Sequence, residues 1–98
     1  MLPAIPSLAI EDRYRADIVL LGNEEYKLVV FATPEDLAKI TQVNAKMPSG
    51  NIAALQIEDG SWHYSANGIP SKGTYTFNVV LIKGEEFKKT FYYSADGS

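Results

Sequence analysis

The chain has one histidine and no cysteine, which limits the chemistry that its side chains could perform. A thiolate zinc site and a cysteine nucleophile are excluded, and no pair of histidines can share the roles of acid and base. Ser61 and Ser65 lie near His63 in the sequence, yet the alternation of side chains along a strand sets up no nucleophile and base pair there. We therefore predict that His63 is an exposed strand residue and that the chain has no catalytic residues.

Four of the five pairs of adjacent acidic residues could offer oxygen ligands to calcium. They are Glu11-Asp12, Glu24-Glu25, Glu35-Asp36 and Glu58-Asp59. The spaced acidic pattern of a calcium-binding loop is missing, so we interpret these pairs as solvated turn residues. The glycine-containing segment 68–73 leads into a predicted strand, whereas a phosphate-binding loop leads into a helix. We predict no metal and no cofactor.

Aromatic and apolar side chains on sheet faces are the best candidates for binding. Flat aromatic rings can stack on sugars or anchor a protein partner, while packing in the core is the competing interpretation, above all for the single tryptophan. Two apolar residues on the nominally outer face of one predicted strand imply burial on both faces or a patch that another module covers. The candidate binding residues are Trp62, Tyr64, Tyr92, Val29 and Phe31.

Charge and hydropathy argue against two classes of partner. The 98 residues carry nine Lys and Arg against twelve Asp and Glu, a formal net charge of −3. No cationic stripe is present that could displace counterions from nucleic acid. Apolar runs such as Ile18 to Leu21 are far shorter than the about 20 residues that span a bilayer. We predict neither nucleic-acid binding nor membrane insertion.

Alternating apolar and polar residues predict strands through most of the chain. The predicted strands cover 14–21, 26–32, 40–47, 53–57, 62–66, 74–82 and 87–93. Turn-forming residues separate them at intervals of about ten residues, and the first and last pairs are predicted hairpins. This spacing predicts one all-β domain over 1–98, a two-layer antiparallel sandwich of about seven strands. Residues 1–10 are expected to be an extended lead-in and 94–98 a linker-like tail.

The segment 34–47 admits two structures. Thr33 is a good N-cap, and Pro34 suits the first position of a helix that could continue to Met47. The apolar stripe of such a helix would be thin, and alternation fits the second half better. We expect a short helical turn near 34–38 followed by a strand, whereas one continuous helix would make the fold α+β.

Two short motifs resemble a known family. The segment 71–77 looks like the Gly-Thr-Tyr start of the sixth strand in immunoglobulin-like sandwiches, where the tyrosine hydroxyl bonds back to the preceding loop. Tyr75 matches that corner tyrosine. The strand from Ile40 to the turn Pro48-Ser49-Gly50 is similar to bacterial immunoglobulin-like and fibronectin type III-like modules. The likeness covers 25–93, although the cysteine pair of the antibody branch is missing.

The resemblance implies an accessory module of a larger extracytoplasmic protein, whether secreted, periplasmic or on the cell surface. We expect a non-catalytic spacer or protein-docking domain whose partners are neighbouring domains or another protein. The alternative is a carbohydrate-binding module that holds a glycan with exposed aromatic side chains.

Overall fold

A computed structural model of the chain describes residues 10–58 and 60–94. Its strands are β1 (Arg15–Leu21), β2 (Glu25–Phe31), β3 (Ile40–Lys46), β4 (Ile52–Ala54), β5 (Gln56–Glu58), β6 (Ser61–Asn67), β7 (Gly73–Leu81) and β8 (Glu86–Tyr93). A 3-10 helix (Ile10–Arg13) precedes β1, and one helical turn, α1 (Pro34–Leu37), follows β2. Apart from Ile10 and Ser94, the predicted lead-in and tail lie outside the described residues.

The strands form two antiparallel sheets of four strands each. The first sheet has the order β1-β2-β6-β5, and the second has the order β4-β3-β7-β8. One apolar core contains inward-facing residues from both sheets, among them Leu28, Val30, Val43, Phe77 and Val79. The predicted all-β, two-layer antiparallel sandwich is therefore confirmed, as are both predicted hairpins.

The single strand predicted over 53–57 is in fact two strands, because the chain changes sheet within it. β4 pairs with β3 in the second sheet, whereas β5 pairs with β6 in the first. Between them lies Leu55, which is buried and donates its N–H to the Val43 carbonyl oxygen at 2.9 Å. Inward and outward side chains still alternate across the change of sheet, because Ala53 and Leu55 both face the core. The described chain thus has eight strands where about seven were expected.

Segment 34–47 forms the turn and strand that alternation favours, and the continuous helix is excluded. Thr33 caps α1 by accepting a hydrogen bond from the Asp36 N–H at 3.2 Å, and Pro34 occupies the first turn. The Tyr14 hydroxyl donates to the Asp36 carbonyl oxygen at 2.9 Å, which ties α1 to the start of β1. β3 then begins at Ile40.

The sandwich has two ends with different connections. The first end holds the 3-10 helix, α1 and the β5–β6 and β7–β8 turns, and the second holds the β1–β2 and β3–β4 turns and the β6–β7 loop. Because β4 and β5 together make one passage, the eight strands carry the chain along the sandwich seven times. An odd number of passages places Ile10 and Ser94 at opposite ends.

Tyr75 and Gly73 organise the second end. The Tyr75 hydroxyl donates a 2.8 Å hydrogen bond to the carbonyl oxygen of Ser71, four residues earlier in the β6–β7 loop. Gly73 has a φ of 138°, and a Cβ at this position would lie 2.8 Å from the Cβ of Pro48. Only glycine fits this backbone without strain, so the loop packs closely against the β3–β4 turn.

Burial raises the pKa of Tyr14, Tyr26 and Tyr75 above the ordinary value of about 10. At Tyr14 the nearby Asp36 carboxylate adds to the effect of burial. A group whose pKa is higher in the folded protein stabilises the fold fully below its unfolded pKa, and this contribution is lost as the pH rises through the folded pKa. These three hydroxyls therefore favour folding at neutral pH, and their contribution is lost in strong alkali.

We expect an alkaline titration, followed by tyrosinate absorbance, to show a late component from these three residues that coincides with unfolding by circular dichroism. Tyr75→Phe should reduce the amplitude of that component by about one third, because one of the three late hydroxyls is gone. Ionisation of all six tyrosines near pH ~10 with the fold intact would contradict this expectation.

Candidate functional site

The five candidate binding residues lie on three different surfaces. Trp62 faces the core and is only 8% exposed, and Tyr64 is half-buried against the same core. Tyr92 is 57% exposed on the outer face of the second sheet. Val29 and Phe31 lie on the outer face of the first sheet. The aromatic side chains therefore do not form one platform for a sugar.

Val29 lies at the centre of a row of side chains that crosses the first sheet. Strand register places Asp17 and His63 on either side of Val29 and Gln56 beyond His63. We call the outward surface around this row the His63 face. Val29 is 5% exposed although it is not part of the core between the sheets, because neighbouring strands flank it on both sides. Side chains of its own sheet thus cover Val29, whereas Phe31 on the same face remains exposed.

Charged residues border the His63 face. The His63 Nε2 atom lies 3.4 Å from the Glu58 carboxylate, and the His63 side chain is 12% exposed. The prediction that His63 is exposed is wrong, because its pairing with β5 brings Glu58 diagonally across it. On the other side, the Arg15 guanidinium lies 5.2 Å from the centre of the Phe31 ring and 3.8 Å from the Asp17 carboxylate.

A cavity of about 270 Å³ opens beside His63. It is lined by Ala54, Gln56, Glu58, His63, Tyr64 and Ser65. The change of sheet at Leu55 produces it, since β5 pairs only with 61–63 and leaves the following residues of β6 without a neighbour on that side. The cavity therefore combines side chains of β5 and β6 with an uncovered stretch of strand.

A second cavity, of about 320 Å³, lies at the first end. Its lining is Ile10, Lys39, Leu81, Ile82, Lys83 and Glu85. Its walls are more apolar than those of the cavity beside His63, and it lies where the described chain begins. Its charged lining residues are Lys39, Lys83 and Glu85, and Lys39 is also paired with Asp36.

Asp36 is the one polar residue among the described ones that is buried overall. Its carboxylate lies 3.6 Å from the Arg13 guanidinium and 3.8 Å from the Lys39 ammonium. These contacts join the 3-10 helix, α1 and the start of β3, so we interpret the cluster as structural. Within residues 10–58 and 60–94, no three His, Cys, Asp or Glu side chains are grouped so as to hold a metal ion.

Sequence reasoning missed Gln56 and Glu58 as neighbours of His63. A hairpin with its turn at Gly60 pairs Gln56 with His63, and assuming such a hairpin would have identified both neighbours from the sequence. The prediction treats 53–57 as one strand and does not pair it with 62–66, so it does not identify the cross-strand neighbours of His63. His63 forms no hydrogen bond with Ser61 or Ser65 in the described structure, and Ser61 instead donates to the Glu58 carbonyl oxygen.

The described residues contain no helix long and apolar enough to cross a bilayer. No protein-family model matches the chain, and no curated protein or solved structure matches it either.

Val29 and Phe31 are predicted to differ in their contribution to stability. Val29→Lys would place a long charged side chain where neighbouring strands leave valine only 5% exposed, and we expect it to lower the free energy of unfolding by about 3 kcal/mol. Phe31→Lys introduces the same side chain on the same face at a position that is 37% exposed, and we expect a loss of no more than about 1 kcal/mol. Urea unfolding of both variants measures the difference. Equal losses would show that Val29 is not covered as the structure describes.

Proposed function

We propose that this chain is a non-catalytic, immunoglobulin-like module that spaces neighbouring parts of a larger extracytoplasmic protein. The observation that carries the proposal is the placement of Ile10 and Ser94 at opposite ends of the sandwich. A module entered at one end and left at the other extends a chain of modules, whereas one whose ends lie together forms a side branch.

The strand order supports the immunoglobulin-like assignment. Sandwiches of that class oppose a sheet of strands A-B-E-D to a sheet of strands G-F-C, which some members extend by C′. If β1 to β8 are lettered in chain order as A, B, C, C′, D, E, F and G, the first sheet has the order A-B-E-D. The second sheet then has the order C′-C-F-G. Tyr75 lies near the start of the strand in position F, and its bond to the Ser71 carbonyl is the one a corner tyrosine makes.

Contacts between the first and last strands support the role of a spacer. β1 and β8 run in the same direction and lie against each other on one side of the sandwich. Tyr14, which precedes β1, packs on Phe87 of β8 with ring centres 5.2 Å apart. The two strands that would connect to neighbouring modules are therefore held by one another as well as by their own sheets.

Small-angle X-ray scattering of two copies joined in one chain tests the spacer proposal. We expect the tandem protein to have a maximum dimension about twice that of the single copy, because the chain enters each copy at one end of the sandwich and leaves it at the other. The single copy is the matched control. A tandem whose maximum dimension stays close to that of one copy, with the two packed side by side, would contradict the proposal.

A further inference from the structure

The backbone of β6 is incompletely paired beside His63. β5 pairs with residues 61–63, and the residue that would come next opposite Tyr64 is Leu55, which has turned away to bond with Val43. In an antiparallel ladder, successive residues direct their N–H and C=O groups to opposite neighbours. One of Tyr64 and Ser65 therefore directs its backbone donor and acceptor towards the side that β5 has left.

The side chains around this opening combine donors and acceptors. Gln56 contributes an amide, Glu58 a carboxylate, His63 an imidazole and Ser65 a hydroxyl. A ligand that both donates and accepts hydrogen bonds at several points can satisfy such a set, as neighbouring hydroxyl groups of a sugar ring can. The negative charge of Glu58 disfavours phosphate and other anions.

From this set of groups we propose that the cavity beside His63 binds one sugar residue. Its volume of about 270 Å³ lies just below the range of about 300–1,000 Å³ typical of sites for drug-sized ligands, which suits a single ring. The methyl group of Ala54 supplies an apolar contact for the C–H face of that ring. The site is distinct from the platform of exposed aromatic rings that the sequence suggested, and the proposal does not depend on the spacer role.

An extended peptide fits this opening less well. A strand added beside β6 would have to pair with residues 64–67, and the chain passing from β4 to β5 through Leu55 lies across the end of that edge. Pairing is thus limited to a few residues, whereas strand addition gains its affinity from a row of backbone hydrogen bonds. A compact ring avoids this obstruction.

The test is a heteronuclear NMR titration of the full ¹⁵N-labelled chain with methyl glycosides of glucose, galactose, mannose and xylose. We expect at least one glycoside to cause saturable shifts of the amide signals of 54–58 and 61–65. Gln56→Ala and Ser65→Ala should each weaken that affinity about tenfold, because each removes a hydrogen bond to the ligand. Gln42→Ala is the matched control, since Gln42 is exposed on the second sheet.

Three outcomes would overturn the proposal. The first is that none of the four glycosides causes a saturable shift in these segments. The second is that Gln42→Ala weakens binding as much as Gln56→Ala does. The third is that a soluble peptide of alternating threonine and valine shifts residues 64–67 while the glycosides do not, which would assign the edge to strand addition. All three variants change exposed residues and keep the core intact, and dispersed spectra establish that each is folded.

Discussion

The change of sheet at Leu55 is the constraint on which the rest of the sandwich depends. Its buried side chain and its hydrogen bond to Val43 hold the chain at the edge of the core while β4 joins one sheet and β5 the other. This crossing links the two sheets on one side, and contact between β1 and β8 closes the other. The same crossing removes the neighbour of β6 beyond His63, so the cavity there is a direct result of how the sandwich is closed.

Local patterns in the sequence predict most of the fold. Both hairpins follow from alternation that continues up to a turn, and α1 follows from Thr33 and Pro34 at its start. The split at Leu55 could not be predicted in this way, because alternation reports which side faces the core and not which sheet a residue joins. The error in the predicted strands is therefore confined to 53–57, where the same face stays towards the core while the chain changes from one sheet to the other.

The surface was harder to predict than the fold, for a related reason. Trp62 and Tyr92 are both aromatic residues on strands, and only strand pairing and packing place one in the core and the other in solvent. His63 was expected to be exposed because it alternates away from Trp62, yet the neighbouring strand brings Glu58 to it. Whether a side chain is exposed for binding depends on residues that are distant in sequence, whereas the formation of a strand depends largely on the residues next to it in the sequence. The cavity beside His63 lies on the side of the sandwich, so a ligand bound there would leave both ends of the sandwich uncovered.

The central structural claim is the crossing at Leu55, and nuclear Overhauser effects between strands test it most directly. The structure predicts cross-strand contacts between Ala45 and Ala53 in the second sheet and between Ile57 and Trp62 in the first. If residues 52–58 instead formed one strand on β3, the register that pairs Asn44 with Ala54 would continue. Contacts between Ile57 and Thr41, without contacts between Ile57 and Trp62, would contradict the account.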